Sequence, residues 1–203
     1  MSIDRAALLP AIDRLTTAMD AAFDRLNAAD AALGDGDLGV TMSRGMALVS
    51  EAAPTLPEDL GAALLRCAQA FTKSSGSSYG TLLATGLMAM AKATKGRTVL
   101  DVADLAPLVA AARDAMMARG KAALGGKTVL DSLDAVAGAL DGESDSAAAA
   151  EAAVRAARGA LDAFRDRPAT VGRARIFAEK SRGMDDPGML AMALIVAALA
   201  DAR

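Results

Sequence analysis

Hydrophobic positions run through the chain in long segments of alanine, leucine and methionine, punctuated by short stretches of glycine, proline, aspartate, serine and threonine. Alanine, leucine and methionine are strong helix formers, whereas valine and isoleucine are too scattered to suggest a sheet. The punctuation divides the chain into about eight helices. The first runs from about Ile3 to Leu33, with Pro10 either kinking it or marking where its regular part begins. "GDGDLG" (Gly34 to Gly39) ends it, and a second follows from about Gly39 to Ala52. "PTLPED" is a loop, and Glu58-Asp59 supply the acidic first turn of a third helix reaching about Thr72. "KSSGSSYG" precedes the fourth, about Thr81 to Ala93. After "TKGRT", Asp101 caps a fifth reaching about Arg119. "GKAALGG" leads to the sixth, about Thr128 to Leu140, and "DGESDS" offers caps for the seventh, about Ala147 to Asp166. An irregular stretch through "RPATVGRAR" and "KSRGMDDPG" precedes the eighth, about Met189 to Asp201.

Helices joined by short loops pack as antiparallel neighbours, so the pattern predicts an all-α, up-and-down bundle. Alternate loops of such a bundle gather at one end. The loops after the first, third, fifth and seventh helices are "GDGDLG", "KSSGSSYG", "GKAALGGKT" and "GMDDPG", the glycine-rich and chemically loaded ones. Every unusual loop therefore belongs to the same pole.

Composition narrows the function. The 203 residues are 53% hydrophobic, enough for one sizeable core, and carry a net charge of −3. Without a basic run, and with only 2% aromatic residues for stacking, nothing points to a nucleic-acid partner. The single cysteine, Cys67, excludes a disulfide framework within the chain and suits a reducing cytoplasm. "MSIDRAALLP" mixes acid and base and is not a signal peptide. "GMLAMALIVAALA" is too short for a membrane span and reads as a buried core helix. The chain has no histidine, so a metal would be held by oxygen and zinc chemistry of the usual kind is not expected.

The chemistry is concentrated in the loops. Asp30, Asp35 and Asp37 are spaced by five and two, and Gly34 and Gly36 release the backbone so that it can fold back. Three carboxylates brought together repel unless a cation sits among them, and all-oxygen ligation suits Mg²⁺, which binds carboxylates together with substrate phosphate oxygens. A solvated turn with a helix-capping aspartate is the other reading of these residues. A helix–loop–helix calcium site fails, because its fifth and twelfth positions, counted from Asp35, hold Gly39 and Met46. Ser74, Ser75, Gly76, Ser77 and Ser78 precede a helix, where backbone amides and small hydroxyls favour an anion, or form a flexible polar loop. "GKAALGGKT" is not a P-loop: five residues separate Gly120 from Gly126 and no strand precedes it. Its Gly125 and Gly126 still allow close approach, and Lys121 or Lys127 offers charge. Asp186-Pro187-Gly188 reads as a helix-starting turn, and Arg173 lies shortly upstream.

Together these loops resemble the nucleotide-binding L subunit, or L domain, of dihydroxyacetone kinases. The matching stretches are "LGDGDLGVTMSRGM" (Leu33 to Met46), "SSGSSYGT" (Ser74 to Thr81), "RGKAALGGKTVLD" (Arg119 to Asp131), "GRA" (Gly172 to Ala174) and "DPG" (Asp186 to Gly188), in the family's order at similar spacing. The resemblance implies one domain over residues 1–203, a barrel of eight antiparallel helices with ADP or ATP and two Mg²⁺ at one end. It implies that Asp30, Asp35 and Asp37 are the magnesium ligands that carry catalysis and that Ser74, Ser75 and Gly76 lie along the phosphates. Leu38, Gly39 and the residues through Thr41, with Gly120, Val129, Arg173, Asp186, Pro187 and Gly188, would line the rest of the nucleotide site. The family's ketose is bound by a separate K subunit or domain that docks over the phosphate end, which implies a partner protein. The chain departs from the pattern at Leu38 and Thr41, where the family usually has His and Asn, at Met184, where it has His, and at Thr72-Lys73, where two glycines are common. It reads as a divergent member.

The expected function is phosphoryl transfer to a small ketose or sugar, driven by positioning and charge neutralisation. The nucleotide either exchanges as ATP or stays bound as ADP and is rephosphorylated by a phosphotransferase-system protein; no residue decides between these. A catalytically silent helical scaffold using the same acidic end to engage a protein is the alternative from a different class.

Overall fold

Aspartates standing just ahead of alanine- and leucine-rich segments set four of the helix starts. The computed structural model describes residues 2–73 and 77–201, and among them nine α-helices. They are α1 (Arg5–Ala21), α2 (Phe23–Leu33), α3 (Leu38–Ala52), α4 (Leu60–Thr72), α5 (Ser78–Ala93), α6 (Leu105–Gly120), α7 (Val129–Leu140), α8 (Ser146–Arg165) and α9 (Pro187–Ala200). Asp4, Asp59, Asp145 and Asp186 each accept a hydrogen bond from an amide in the first turn of α1, α4, α8 and α9, at 2.7–2.9 Å. A carboxylate there satisfies an amide with no partner inside the helix and complements the positive end of the dipole. Asp101 and Asp104 cap each other's turn in a capping box, as do Thr128 and Asp131.

The expected first helix is two. Ala22 separates α1 from α2, and no glycine or proline marks the break. Pro10, in contrast, lies inside α1 without ending it. Asp101 caps a short 3₁₀ turn, Val102–Asp104, that feeds α6. Two further 3₁₀ turns, Arg173–Ile176 and Ala178–Ser181, occupy the irregular stretch before α9. A two-residue antiparallel pair, β1 (Ile3–Asp4) with β2 (Val99–Leu100), fastens the start of the chain to the α5–α6 connection.

Each helix packs on its neighbours in sequence, and α9 closes the ring against α1 and α2. The fold is thus an all-α up-and-down barrel. Its interior is one continuous apolar cluster with buried members from every helix but α5, among them Met19, Leu26, Met42, Phe71, Met116, Leu133, Leu161 and Met189; α5 packs half-buried Tyr79, Leu82 and Leu83 against it. α9 is the expected core helix, with Met189, Leu190, Ala191, Met192, Ala193 and Val196 buried. Among the described residues no helix is long and apolar enough to cross a membrane. Cys67 is buried in α4, and burial pushes its thiol up to about 11, which keeps it unreactive.

The two poles separate as the connectivity requires. At one, Leu60 donates to Arg97 and Gly96 to Asp59, joining the ordinary turns. At the other, the connections α2–α3, α6–α7 and α8–α9 meet.

Candidate functional site: an acidic pole with one arginine

The α2–α3 loop folds back on α2. Gly36 adopts φ +77°, a left-handed conformation that favours glycine, and the amide of Asp37 donates to Asp30 Oδ2 at 2.9 Å. Asp30, Asp35 and Asp37 then each offer a carboxylate oxygen within 4.8 Å of the others. Asp30 is half-buried, while Asp35 and Asp37 are exposed.

The capping reading of Asp37 does not hold. Asp37 stands at the N-cap position of α3, yet its carboxylate makes no cap hydrogen bond. The cap comes from outside: Asn27 Oδ1, on α2, accepts from the amides of Gly39 at 2.8 Å and Val40 at 3.3 Å. Gly39 is held so close to α2 that a Cβ would overlap the carbonyl oxygen of Phe23. The first turn of α3 is therefore tied to α2, and the Asp37 side chain is left to the acidic cluster.

Arg173 brings the counter-charge. It opens the 3₁₀ turn Arg173–Ile176, and its guanidinium forms an ion pair with Asp35. Leu33, the last residue of α2, packs in a small cluster with Ala169, Ala174 and Phe177, which sets the α8–α9 connection beside the acidic loop.

The remaining candidates fall into three groups. Asp186 caps α9 and is buried; burial lifts its carboxyl to about 7, against the opposing pull of the Met189 amide and the Lys127 ammonium. Pro187 is buried as the first residue of α9, and the carbonyl of half-buried Gly188 accepts from the Tyr79 hydroxyl at 3.0 Å. Leu38, Gly39 and Thr41 are buried in the first turn of α3, with Leu38 in the core. Val129, at the start of α7, is also a core residue, whereas Gly120 ends α6 exposed. Ser74, Ser75 and Gly76 lie outside the described residues. Lys121 is exposed on the α6–α7 loop, but Lys127 is buried and turned away from solvent.

Two residues of the site went unnoticed in the sequence. Asn27 lies three positions before Asp30, a spacing that puts both on one face of α2. Tyr79, in "SSYG", is the single tyrosine of the chain, and it links the start of α5 to the start of α9.

The donor set fits a hard divalent cation. All three side chains are carboxylates, their oxygens are within ligand reach of one another, and the helix start that Asp37 adjoins is already capped by Asn27.

The DAK2 domain family matches residues 32–201. The ADP-binding subunit DhaL of the PEP-dependent dihydroxyacetone kinase of Escherichia coli (strain K12) is 29% identical over 98% of this chain and 98% of its own length. The ADP-binding subunit DhaL of PEP-dependent dihydroxyacetone kinase 1 of Listeria innocua is 32% identical over 84% of this chain and 82% of its own. L-erythrulose 1-kinase of Mycolicibacterium smegmatis is 33% identical over 85% of this chain, which spans 31% of that longer protein. Among solved structures, the native dihydroxyacetone kinase of C. freundii superposes with a TM-score of 0.76 over 98% of this chain and 34% of its own, at 22% identity, a likeness of fold.

Proposed function

The chain belongs to the DAK2 domain family, and from that premise we propose that it is the ADP- or ATP-binding subunit of a kinase acting on a small ketose or sugar. The observation that carries the reading is the acidic pole: three carboxylates within 4.8 Å, with Asp37 not used as a helix cap. Asp30, Asp35 and Asp37 would hold Mg²⁺, two ions by analogy with the family. Magnesium, when bound, would draw the nucleotide's phosphate oxygens to this pole and neutralise their charge.

The chain's own residues supply the positioning. Asn27 fixes the first turn of α3 so that Asp37 stays in register with Asp30. Arg173 brings a guanidinium to the edge of the cluster, where it can shift from Asp35 to a phosphate oxygen. Tyr79 ties the start of α5 to the start of α9. The phosphate acceptor belongs to a K-type substrate-binding partner. Leu124, Ile176 and Met184, exposed at 44%, 77% and 41% on the α6–α7 and α8–α9 connections, would offer that partner an apolar footing at the same pole. The same ligands serve exchange as ATP or retention as ADP with rephosphorylation by a phosphotransferase-system protein. ADP surviving purification selects the second.

Thermal unfolding tests the reading. ADP with Mg²⁺ at 100 times the dissociation constant stabilises by about 2.7 kcal/mol and raises the Tm. An unmoved Tm at millimolar ADP and Mg²⁺ would instead favour a silent scaffold that engages a protein through this pole.

A further inference from the structure

Lys127 does something other than offer charge to a ligand. Its side chain is 1% exposed, and its ammonium donates to three main-chain carbonyls: Arg165 at 2.8 Å, Arg167 at 3.0 Å and Ser181 at 2.7 Å. An ammonium has three donors, so all are used. The backbone of Lys127 is left-handed, φ +61°, a conformation uncommon for a residue with a Cβ.

The three acceptors define what is held. Arg165 ends α8, Arg167 follows it, and Ser181 ends the 3₁₀ turn Ala178–Ser181. One ammonium therefore closes the base of the excursion formed by residues 168–180. Fully buried Ser181 adds a second tie at the same base, accepting from the Ala169 amide at 2.7 Å and donating to the Ala178 carbonyl at 2.6 Å. The amide of Gly183 returns to the Arg165 carbonyl at 2.9 Å, and Thr170 donates to Gly126, the residue before Lys127, at 3.2 Å.

Beyond this base the excursion meets the acidic loop twice. Ala169 and Ala174 pack on Leu33, and Arg173, adjacent to Ala174, pairs with Asp35, two residues after Leu33. The place of Arg173 thus depends on how the excursion is closed. We propose that Lys127 is a positioning residue of the nucleotide site: by closing the base of residues 168–180 it holds Arg173 against Asp35, at the edge of the acidic cluster, without itself touching a ligand. This inference rests on the nucleotide reading given above.

A double-mutant cycle tests it, read by calorimetric titration of ADP in the presence of Mg²⁺. The four proteins are the parent, Lys127→Met, Arg173→Ala and the double variant, each first checked for native helical circular dichroism. If Lys127 acts through Arg173, Lys127→Met weakens binding about ten-fold, close to the loss in Arg173→Ala, and the double variant is no weaker than the weaker single. Affinity within two-fold of the parent in Lys127→Met, or losses that multiply in the double variant, overturns the proposal. A parent chain that binds no ADP with Mg²⁺ overturns the nucleotide reading and this inference with it; multiplying losses on a binding parent overturn the inference alone. Where Lys127→Met does not fold, Ser181→Ala decides by the same comparison with Arg173→Ala. A loss that does not multiply supports the proposal, and an unchanged affinity or a multiplied loss overturns it.

Discussion

Arg173 and Asp35, from connections at opposite ends of the sequence, form an ion pair at the barrel's acidic pole. Both side chains are about half exposed, at 50% and 48%, so the pair adds little to stability. Its meaning lies in charge. Asp35 stands beside two further carboxylates, and among the described residues Arg173 is a cation paired with this cluster. On the proposed reading, a metal held by the three carboxylates would compete with Arg173 for Asp35 and would leave the guanidinium available to a phosphate.

Replacing Arg173 should therefore have opposite effects on two ligands. In Arg173→Ala, Mg²⁺ alone binds a few-fold more tightly, because a competing positive charge is gone, while ADP with Mg²⁺ binds about ten-fold more weakly. Titrations of each ligand read the two signs. A loss of both together would mean that Arg173 only holds the loop.

The contact between α2 and α3 can be broken in two ways. Asn27→Ala leaves the amides of Gly39 and Val40 without their acceptor and should cost about 1–2 kcal/mol. Gly39→Ala forces a Cβ into the carbonyl oxygen of Phe23, a backbone atom that cannot swing aside, and should cost about 2–3 kcal/mol. Urea unfolding measures both. A smaller loss for Gly39→Ala than for Asn27→Ala would contradict the close approach seen here.

Asp186 makes stability depend on pH. Burial lifts its carboxyl from the ordinary range to about 7. Between about pH 4 and pH 7 the folded chain consequently holds more protons at this site than the unfolded chain. The contribution is full at the acid end, falls as pH rises through that window, and is flat above it. Asp186→Asn keeps an oxygen to cap α9 and removes the titration. The stability of the parent minus that of the variant, from urea unfolding at pH 5, 6, 7 and 8, should fall by on the order of 1–3 kcal/mol. A constant difference across the series would contradict the buried carboxyl.

The helices and their poles were legible because they depend on local signals. Asp59, Asp145 and Asp186 announce the helices that they cap, and the alternation of loops assigns "GDGDLG" and "DPG" to one end. The acidic cluster was legible as well, since Asp30 and Asp35 are only five positions apart and glycines flank the return. What stayed hidden depends on distant partners. Nothing near Ala22 shows that the first helix breaks there. Ile3-Asp4 and Val99-Leu100 are too short to show a strand's alternation. Lys127 reads as a charge for the ligand because its three acceptors are carbonyls 38 to 54 residues further along the chain. Asn27, an asparagine inside a helix, carries no local sign of the amides that it caps twelve and thirteen positions away.

Calorimetric titration of ADP tests the account at its centre, with the parent chain in Mg²⁺, the parent in EDTA, and Asp35→Asn in Mg²⁺. The account predicts binding by the parent in Mg²⁺ and affinity at least ten-fold weaker in the other two, with helical circular dichroism unchanged in the variant. Equal affinity in all three, or no binding in any, would contradict it.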